Sequence, residues 1–210
     1  MAATSPLPNA TASHVAIVAS WQHLPLRMRV ARPLTADELF DFCAANRDLH
    51  IERTADGELI IMPPTGAETG RRNADITAQL VVWSKAQGQG IAFDSSTGFL
   101  LPNDAERSPD AAWLLKDRWD ALTSEQKRKF APLCPDFVLE LRSPNDRLDE
   151  MKAKMAEYIE CGARLGWLID PEERRVYVYR PGTYQVLEAP PLLSGETELP
   201  GFVLDLGSIW

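Results

Sequence analysis

Two apolar strands joined by one helix decide the fold of this chain. The first strand reads Phe137-Val138-Leu139-Glu140-Leu141, is followed by Arg142-Ser143-Pro144-Asn145-Asp146, and is matched by a second apolar run from Leu165 to Asp170. Such runs are typical of strands buried on both faces of a sheet. The residues between them have helical apolar spacing and stop at Gly162. A helix that crosses from strand to strand predicts an α/β or α+β fold around a mixed sheet.

The rest of the chain adds elements of the same mixed kind. Thr35 and Glu38 have the spacing of a capping box, and Asp56-Gly57 and Pro181-Gly182 are turn signals that predict hairpins. Asp146 is a predicted N-cap for the crossover helix. The predicted segments are helices at 35–46, 68–86 and 119–129, hairpins at 50–62 and 175–187, and strands at 91–93, 98–101 and 111–115.

Composition predicts one soluble domain. The 210 residues are 45% hydrophobic and 25% charged, which is enough for a sizeable core, and no run approaches the roughly 18 apolar residues of a membrane span. We expect residues 24–210 to form a single domain and residues 1–23 to be a flexible tail without signal-peptide character. Three widely spaced cysteines fit neither a disulfide framework nor a zinc pattern, which favours reduced thiols in a cytoplasmic protein.

Charge and histidine content exclude two classes of function. A formal net charge of −8 argues against broad non-specific binding to nucleic acid, which needs a basic surface. Small basic clusters remain and are consistent with solvated surface charge or with a local groove. The three histidines form no HExxH-like pair, so a zinc hydrolase is not expected.

Glu140 is the residue that most needs an explanation. A carboxylate inside a buried strand must neutralise, pair with a cation or bind a metal ion. Asp110 begins another apolar run and is able to lie beside Glu140, because neighbouring strands are about 4.8 Å apart. Asp136 shares the strand of Glu140, but four residues separate the two by roughly 13 Å, too far to share one ion. Asp110 and Glu140 are therefore the favoured pair, and a buried salt bridge from Glu140 to Arg142 or to an adjacent arginine is the alternative.

A lysine on the crossover helix would complete such a site. Lys152 and Lys154 flank opposite sides of the apolar stripe of that helix, and either side chain is long enough to extend along the sheet surface. Helical periodicity does not choose between them.

At these residues the chain resembles the PD-(D/E)XK nuclease superfamily, and within it the Uma family of predicted restriction endonucleases, formerly a domain of unknown function. The resemblance covers most of the chain from about Pro33 onward and rests on the order and joint presence of several motifs. The matching stretches are Met62-Pro63-Pro64-Thr65-Gly66, Ser108-Pro109-Asp110, Pro135 to Pro144, Asp146-Arg147-Leu148, Lys154 to Tyr158, Gly162 to Pro171, and Leu199-Pro200-Gly201-Phe202.

The resemblance implies a restriction-endonuclease-like core and a role for each matching residue. Asp110 and Glu140 would be metal ligands, the backbone carbonyl of Leu141 a further ligand, and Lys154 the catalytic lysine. The superfamily motif places a lysine two positions after the glutamate, where this chain has Arg142, which stays protonated and cannot act as a base. Arg142 and Glu68 are thus only accessory candidates.

The function implied is Mg²⁺-dependent hydrolysis of DNA, with Mn²⁺ as a substitute ion, by a homodimer that does not associate with membranes. The rival hypothesis is a non-catalytic module that binds nucleic acid or protein on a nuclease fold. The acidic composition and the arginine at position 142 favour that rival.

Overall fold

The computed structural model describes residues 25–210, so the tail predicted at residues 1–23 lies outside the described residues. The helices are α1 (Ala36–Ala45), α2 (Ala67–Gln87), α3 (Lys116–Asp120) and α4 (Leu148–Glu160). The strands are β1 (Leu26–Arg29), β2 (His50–Arg53), β3 (Glu58–Met62), β4 (Gly90–Asp94), β5 (Phe99–Leu100), β6 (Glu106–Arg107), β7 (Ala111–Leu115), β8 (Phe137–Leu141), β9 (Leu165–Asp170), β10 (Arg175–Arg180), β11 (Thr183–Glu188), β12 (Leu192–Ser194) and β13 (Val203–Asp205).

A six-stranded mixed sheet forms the centre of the molecule. Its strand order is β11-β10-β9-β8-β7-β4. The two apolar runs that predicted the fold form β8 and β9. These strands lie side by side and are parallel, and α4 crosses between them. All other neighbours in this sheet are antiparallel. The predicted mixed sheet flanked by helices is confirmed.

A second sheet, built mostly from the N-terminal part of the described chain, contacts the side of the first sheet that carries α4. Its order is β1-β3-β2-β6-β5, and β12 and β13 form a separate small hairpin. The capping box of α1 is present, because Glu38 N donates to Thr35 Oγ1 and Thr35 N donates to the Glu38 carboxylate. The hairpin β2–β3 turns at Gly57, whose φ of 84° is the left-handed conformation that glycine tolerates.

The two faces of the central sheet carry separate halves of the core. One half packs α2 and the C-terminal segment against inward residues such as Trp113, Leu139 and Trp167. The other half packs α4 against Val138 and Leu168. Alternation along β8 therefore sends Leu139 and Leu141 to the α2 face, and Val138 and Glu140 to the α4 face.

Two predictions of local structure were wrong. The segment 119–129 is not one helix: α3 ends at Asp120, and Thr123 begins a separate turn in which its backbone N–H donates to Gln126 Oε1 and its hydroxyl accepts from Gln126 N. Asp146 does not cap α4. Its carboxylate accepts from Ser143 N at 2.8 Å and closes a tight turn, and α4 begins two residues later without a side-chain cap.

The structure also shows the state of the cysteines and the character of the helices. Cys43, Cys134 and Cys161 are free thiols, as the spacing predicts. Within residues 25–210, none of the helices combines the length and the apolar character needed to cross a bilayer.

Candidate active site

The sheet register brings Asp110 and Glu140 face to face. On β7 and β8, Ala111 pairs with Leu139 and Ala112 with Val138. Continuing this antiparallel register by one residue places Asp110 directly opposite Glu140, where cross-strand side chains on one face have Cβ atoms about 4.5–5.5 Å apart. The charge of Asp110 raises the pKa of Glu140, so the two carboxylates lie close enough to interact electrostatically.

Asp110 is held in place by two donors. Its Oδ2 accepts from Leu141 N at 2.8 Å, and its Oδ1 accepts from Asn73 Nδ2 on α2 at 2.7 Å. Burial raises the pKa of Asp110 above its ordinary value, and these donors only partly oppose the shift. Each carboxylate oxygen still has a free lone pair, so Asp110 is able to bind a further cation.

Glu140 is buried and its charge is only partly compensated. Its Oε1 accepts from Lys154 Nζ at 2.8 Å and from the Tyr158 hydroxyl at 2.9 Å. Loss of solvent, together with repulsion from Asp110 and Glu52, raises the pKa of Glu140 to about 7, although Lys154 opposes the shift. A perturbed carboxyl group of this kind, facing a second carboxyl group, is a common feature of functional sites.

The structure separates the two lysines that helical periodicity left equivalent. Lys154 points to the sheet, where its Nζ lies 2.8 Å from both Glu140 Oε1 and Glu52 Oε1. Lys152 lies on another side of α4, with its ammonium 4.4 Å from the ring centroid of Tyr177. Burial alone would lower the pKa of Lys154, but the two carboxylates raise it above its ordinary value, so this side chain stays protonated.

Glu52 is a site residue that the sequence did not reveal. Besides Lys154, it accepts from Ser108 N at 3.0 Å and binds Arg107 Nη1 at 3.2 Å. Burial disfavours its ionisation, yet the neighbouring cations, Lys154 first among them, hold the pKa of Glu52 well below its usual range. Its strand, His50–Arg53, resembles an ordinary hairpin strand, and its partner Lys154 is 102 residues away, so no local signal identifies it.

The other candidates lie outside this cluster. Arg142 pairs with Asp170 (Nη1 to Oδ2, 2.7 Å) and the cation on Glu140 is Lys154, so the alternative salt bridge from Glu140 to an arginine is wrong. Glu68 is exposed in the first turn of α2 and binds Arg71 and Arg72. Asp136 anchors the start of β8, because it accepts from Leu115 N at 2.9 Å and pairs with Arg118 Nη1 at 2.9 Å.

The donor set fits a hard divalent cation. Because a strand residue presents its N–H and C=O to the same side, the carbonyl of Leu141 faces the side on which its N–H meets Asp110. Across residues 25–210, no three His, Cys, Asp or Glu side chains are grouped to hold a metal ion by themselves. Two carboxylates and a carbonyl would leave most positions to water and substrate oxygens, which is how Mg²⁺ is usually bound.

The net charge of the buried cluster is also compatible with binding such an ion. When ionised, Glu52, Asp110, Glu140 and Glu157 carry four negative charges, and Lys154 and Arg107 carry two positive ones. Glu106, also buried beside Glu52, is not counted because its pKa is raised to about 8. Among the six groups counted two negative charges remain, and a dication would balance them. Burial is the largest cause of the raised pKa values of both Asp110 and Glu140, and the nearby Lys154 only partly opposes it.

A mixed sheet with one carboxylate on a central strand, a second just before the neighbouring strand and a lysine on the crossover helix is the arrangement of the restriction-endonuclease-like fold. The chain belongs to the Uma2 family, whose model, described as "Putative restriction endonuclease", matches residues 36–207. The resemblance noted in the sequence is thereby confirmed. No curated protein matches the chain.

A solved structure shares the fold. It is described as the crystal structure of "a putative nuclease belonging to DUF820" from Anabaena variabilis ATCC 29413, and it is 20% identical to this chain. The match has a TM-score of 0.67 and covers 84% of this chain and 97% of that one. The architecture described above is therefore shared with a solved structure.

Proposed function

We propose that this protein is a Mg²⁺-dependent endonuclease that hydrolyses phosphodiester bonds of DNA as a homodimer. The observation that carries the proposal is the buried contact between Glu140 and the ammonium of Lys154, with the charge of Asp110 acting on the same glutamate. Membership of the Uma2 family supports a nuclease-like activity. Asp110, Glu140 and the Leu141 carbonyl would hold the ion, and Mn²⁺ is able to replace it.

When bound, the metal ion would act as a Lewis acid on the phosphate and promote ionisation of the attacking water. The chain's own residues supply orientation and charge. Asn73 and Leu141 N fix the carboxylate of Asp110, and Tyr158 orients Glu140. Because Lys154 stays protonated, it serves as a fixed cation that offsets negative charge developing on the phosphate, and it does not serve as a general base.

Metal binding provides the first test. A ligand that binds only the folded state raises stability by mass action, so Mg²⁺ or Mn²⁺ should raise the melting temperature of the wild type. In Asp110→Asn this rise should be lost, because one ligand carboxylate is replaced by a neutral amide. A wild type without any rise, which also fails to nick plasmid, would support the rival hypothesis of a binding module.

Cleavage of supercoiled plasmid provides the second test, and α4 offers a matched control. Lys154→Met should reduce the nicking rate by at least about 100-fold, the scale typical of losing one electrostatic stabiliser. Lys152→Met removes a lysine two residues away that contacts Tyr177, and it should cleave at the wild-type rate. Circular dichroism establishes that both variants are folded, and equal activity of the two would remove Lys154 from the site.

A further inference from the structure

The central sheet has one covered edge and one open edge. At the covered edge, β4 is packed by α2 and α3. At the open edge, β11 pairs with β10 alone among the strands of residues 25–210, and all its residues except the half-buried Leu187 are exposed. The open edge therefore has a complete row of backbone groups available to another strand.

The ladder between β10 and β11 shows which groups these are. Ala189 N donates to Arg174 O at 2.7 Å, and hydrogen-bonded pairs alternate along an antiparallel ladder. Every second residue back from Ala189 therefore points its N–H and C=O toward β10. The residues between them, Tyr184, Val186 and Glu188, present both groups to the free side.

The composition of β11 does not prevent it from pairing with a strand of another chain. Natural edge strands usually carry lysine, proline or a bulge that prevents pairing with another chain. Here the six residues Thr183–Glu188 contain none of these, and the one charged side chain, Glu188, is bound to Arg175 at 3.0 Å. Tyr184 and Val186 are large apolar residues, 57% and 41% exposed.

We propose that a second copy of this chain adds its own β11 to this edge, antiparallel and about a two-fold axis at Val186. In this register Val186 faces its counterpart and Tyr184 faces Glu188 of the other copy, so all three outward residues form hydrogen-bonded pairs. Shifting the axis by one residue leaves an outward residue unpaired. No like charges are opposed, which makes the edge complementary to itself.

The same register fixes the relation between the two candidate sites. Val186 pairs with Tyr177, Tyr177 with Leu168, and Leu168 with Glu140, so Val186 and Glu140 lie in one row across the sheet. The axis stands perpendicular to the sheet, and both copies of Glu140 therefore lie on the same face. Seven strand spacings separate them, about 34 Å along the sheet.

That spacing corresponds to one turn of duplex DNA, about 34–36 Å. The pairing of β11 is inferred from the edge itself, whereas this use of the spacing rests on the proposed function. On that basis the substrate of the dimer is double-stranded DNA contacted at two phosphates on one side, a helical turn apart.

Molar mass measured by light scattering across a dilution series tests the interface without any metal or DNA. A six-residue strand gives an interface at the small end of the usual range, so the dilution series is needed. The wild type should approach twice the chain mass of 23.4 kDa at the highest concentrations. Val186→Lys and Val186→Glu should each stay at 23.4 kDa, because each opposes two like charges.

Mixing these two variants tests the register. Lysine then faces glutamate across the axis, and the mixture should recover the doubled mass. Val203→Lys, at a 50% exposed valine of β13, is the matched control and should dimerise like the wild type. A wild type that stays at the chain mass, or a Val186→Lys variant that keeps the doubled mass, would overturn the proposal, and a mixture that stays monomeric would overturn the Val186-centred register.

Discussion

Glu140 and Lys154 each keep a charge state that depends on the other. Burial alone would neutralise both, yet their 2.8 Å contact and the second carboxylate, Glu52, keep the lysine protonated and partly stabilise the ionised glutamate. Removing one member of a buried ion pair typically costs about 3–5 kcal/mol, because the other is left uncompensated. The contact is therefore a structural feature of the apo protein as well as a candidate catalytic one.

Glu106 permits a prediction of pH dependence that does not involve the proposed metal ligands. The side chain is fully buried, and its Oε2 has no hydrogen-bond partner among residues 25–210. Burial, reinforced by the charge of Glu52, raises its pKa to about 8. Between the ordinary carboxyl pKa and about 8 the folded protein holds a proton that the unfolded chain has lost. Stability from this group is therefore present at low pH and is lost as the pH rises, by up to about 1.4 kcal/mol per pH unit.

Glu106→Gln should remove that loss, since an amide does not titrate. In urea unfolding from pH 5 to pH 8, the free energy of unfolding of the variant minus that of the wild type should increase steadily with pH. Taking the difference removes the contributions of other titrating groups. A difference that is independent of pH would show that Glu106 titrates normally in the folded protein.

The sequence identified some of the clustered residues as candidates and not others. Glu140 is recognisable because a charge interrupts an apolar strand, and Asp110 because strand spacing allows it to lie opposite. Glu52 and Asn73 are not recognisable, since each owes its position to the packing of a distant element against the sheet. A contact across 102 residues leaves no periodic signal in either segment.

At the scale of elements, the position of α4 determines which lysine reaches the sheet. Gly166 on β9 has no side chain where Met155 of α4 packs, and a Cβ there would lie 2.5 Å from Met155 Cε. The helix thus approaches the sheet closely, with Lys154 on one side and Lys152 over Tyr177 on the other. Periodicity shows which apolar residues of α4 face the sheet, but it does not show how the helix is rotated about its own axis. The sequence alone therefore could not show whether Lys152 or Lys154 reaches the site.

Replacement of glycine by alanine should have opposite effects on stability at Gly90 and at Gly70. At Gly90 on β4, a Cβ would lie 2.2 Å from two ring atoms of Trp113 and 2.5 Å from the backbone oxygen of Leu114, so Gly90→Ala should destabilise the protein by about 1–3 kcal/mol or more. At Gly70 in α2 the nearest atom is 3.7 Å away, and Gly70→Ala should stabilise by about 0.5–1 kcal/mol.

Thermal or urea unfolding of the two variants beside the wild type measures both effects. The reason for the first is steric, because Trp113 cannot withdraw while its Nε1 donates to Ser84 Oγ, which in turn donates to the carbonyl of Gly90. The reason for the second is the backbone entropy of glycine in a helix. A Gly90→Ala variant as stable as the wild type would mean that β4 is free to move away from β7.

Over the whole molecule, the candidate site joins the two larger sheets. Glu52 comes from the second sheet, and Glu140 comes from the central one, and Lys154 binds both. Arg107, on β6, extends the network to Glu157 of α4 at 2.6 Å. The order of elements and the mixed sheet were predictable from the sequence. The docking of one sheet on the other was not, because the ion pairs and the apolar contacts of Phe99 with the central sheet join residues far apart in the chain.

The paired-edge dimer makes a prediction about cleavage products. If two sites act on one duplex a turn apart, wild type should convert supercoiled plasmid to both nicked and linear forms. Val186→Lys leaves Asp110, Glu140 and Lys154 in place but separates the copies, so its products should be nicked circles with the linear form reduced at least about tenfold. The comparison is made by gel electrophoresis at equal extents of supercoil loss, with Val203→Lys as the control. Linear product formed by Val186→Lys at the wild-type ratio would mean that each chain cuts both strands independently, and loss of all cleavage would mean that the separated chain has no competent site.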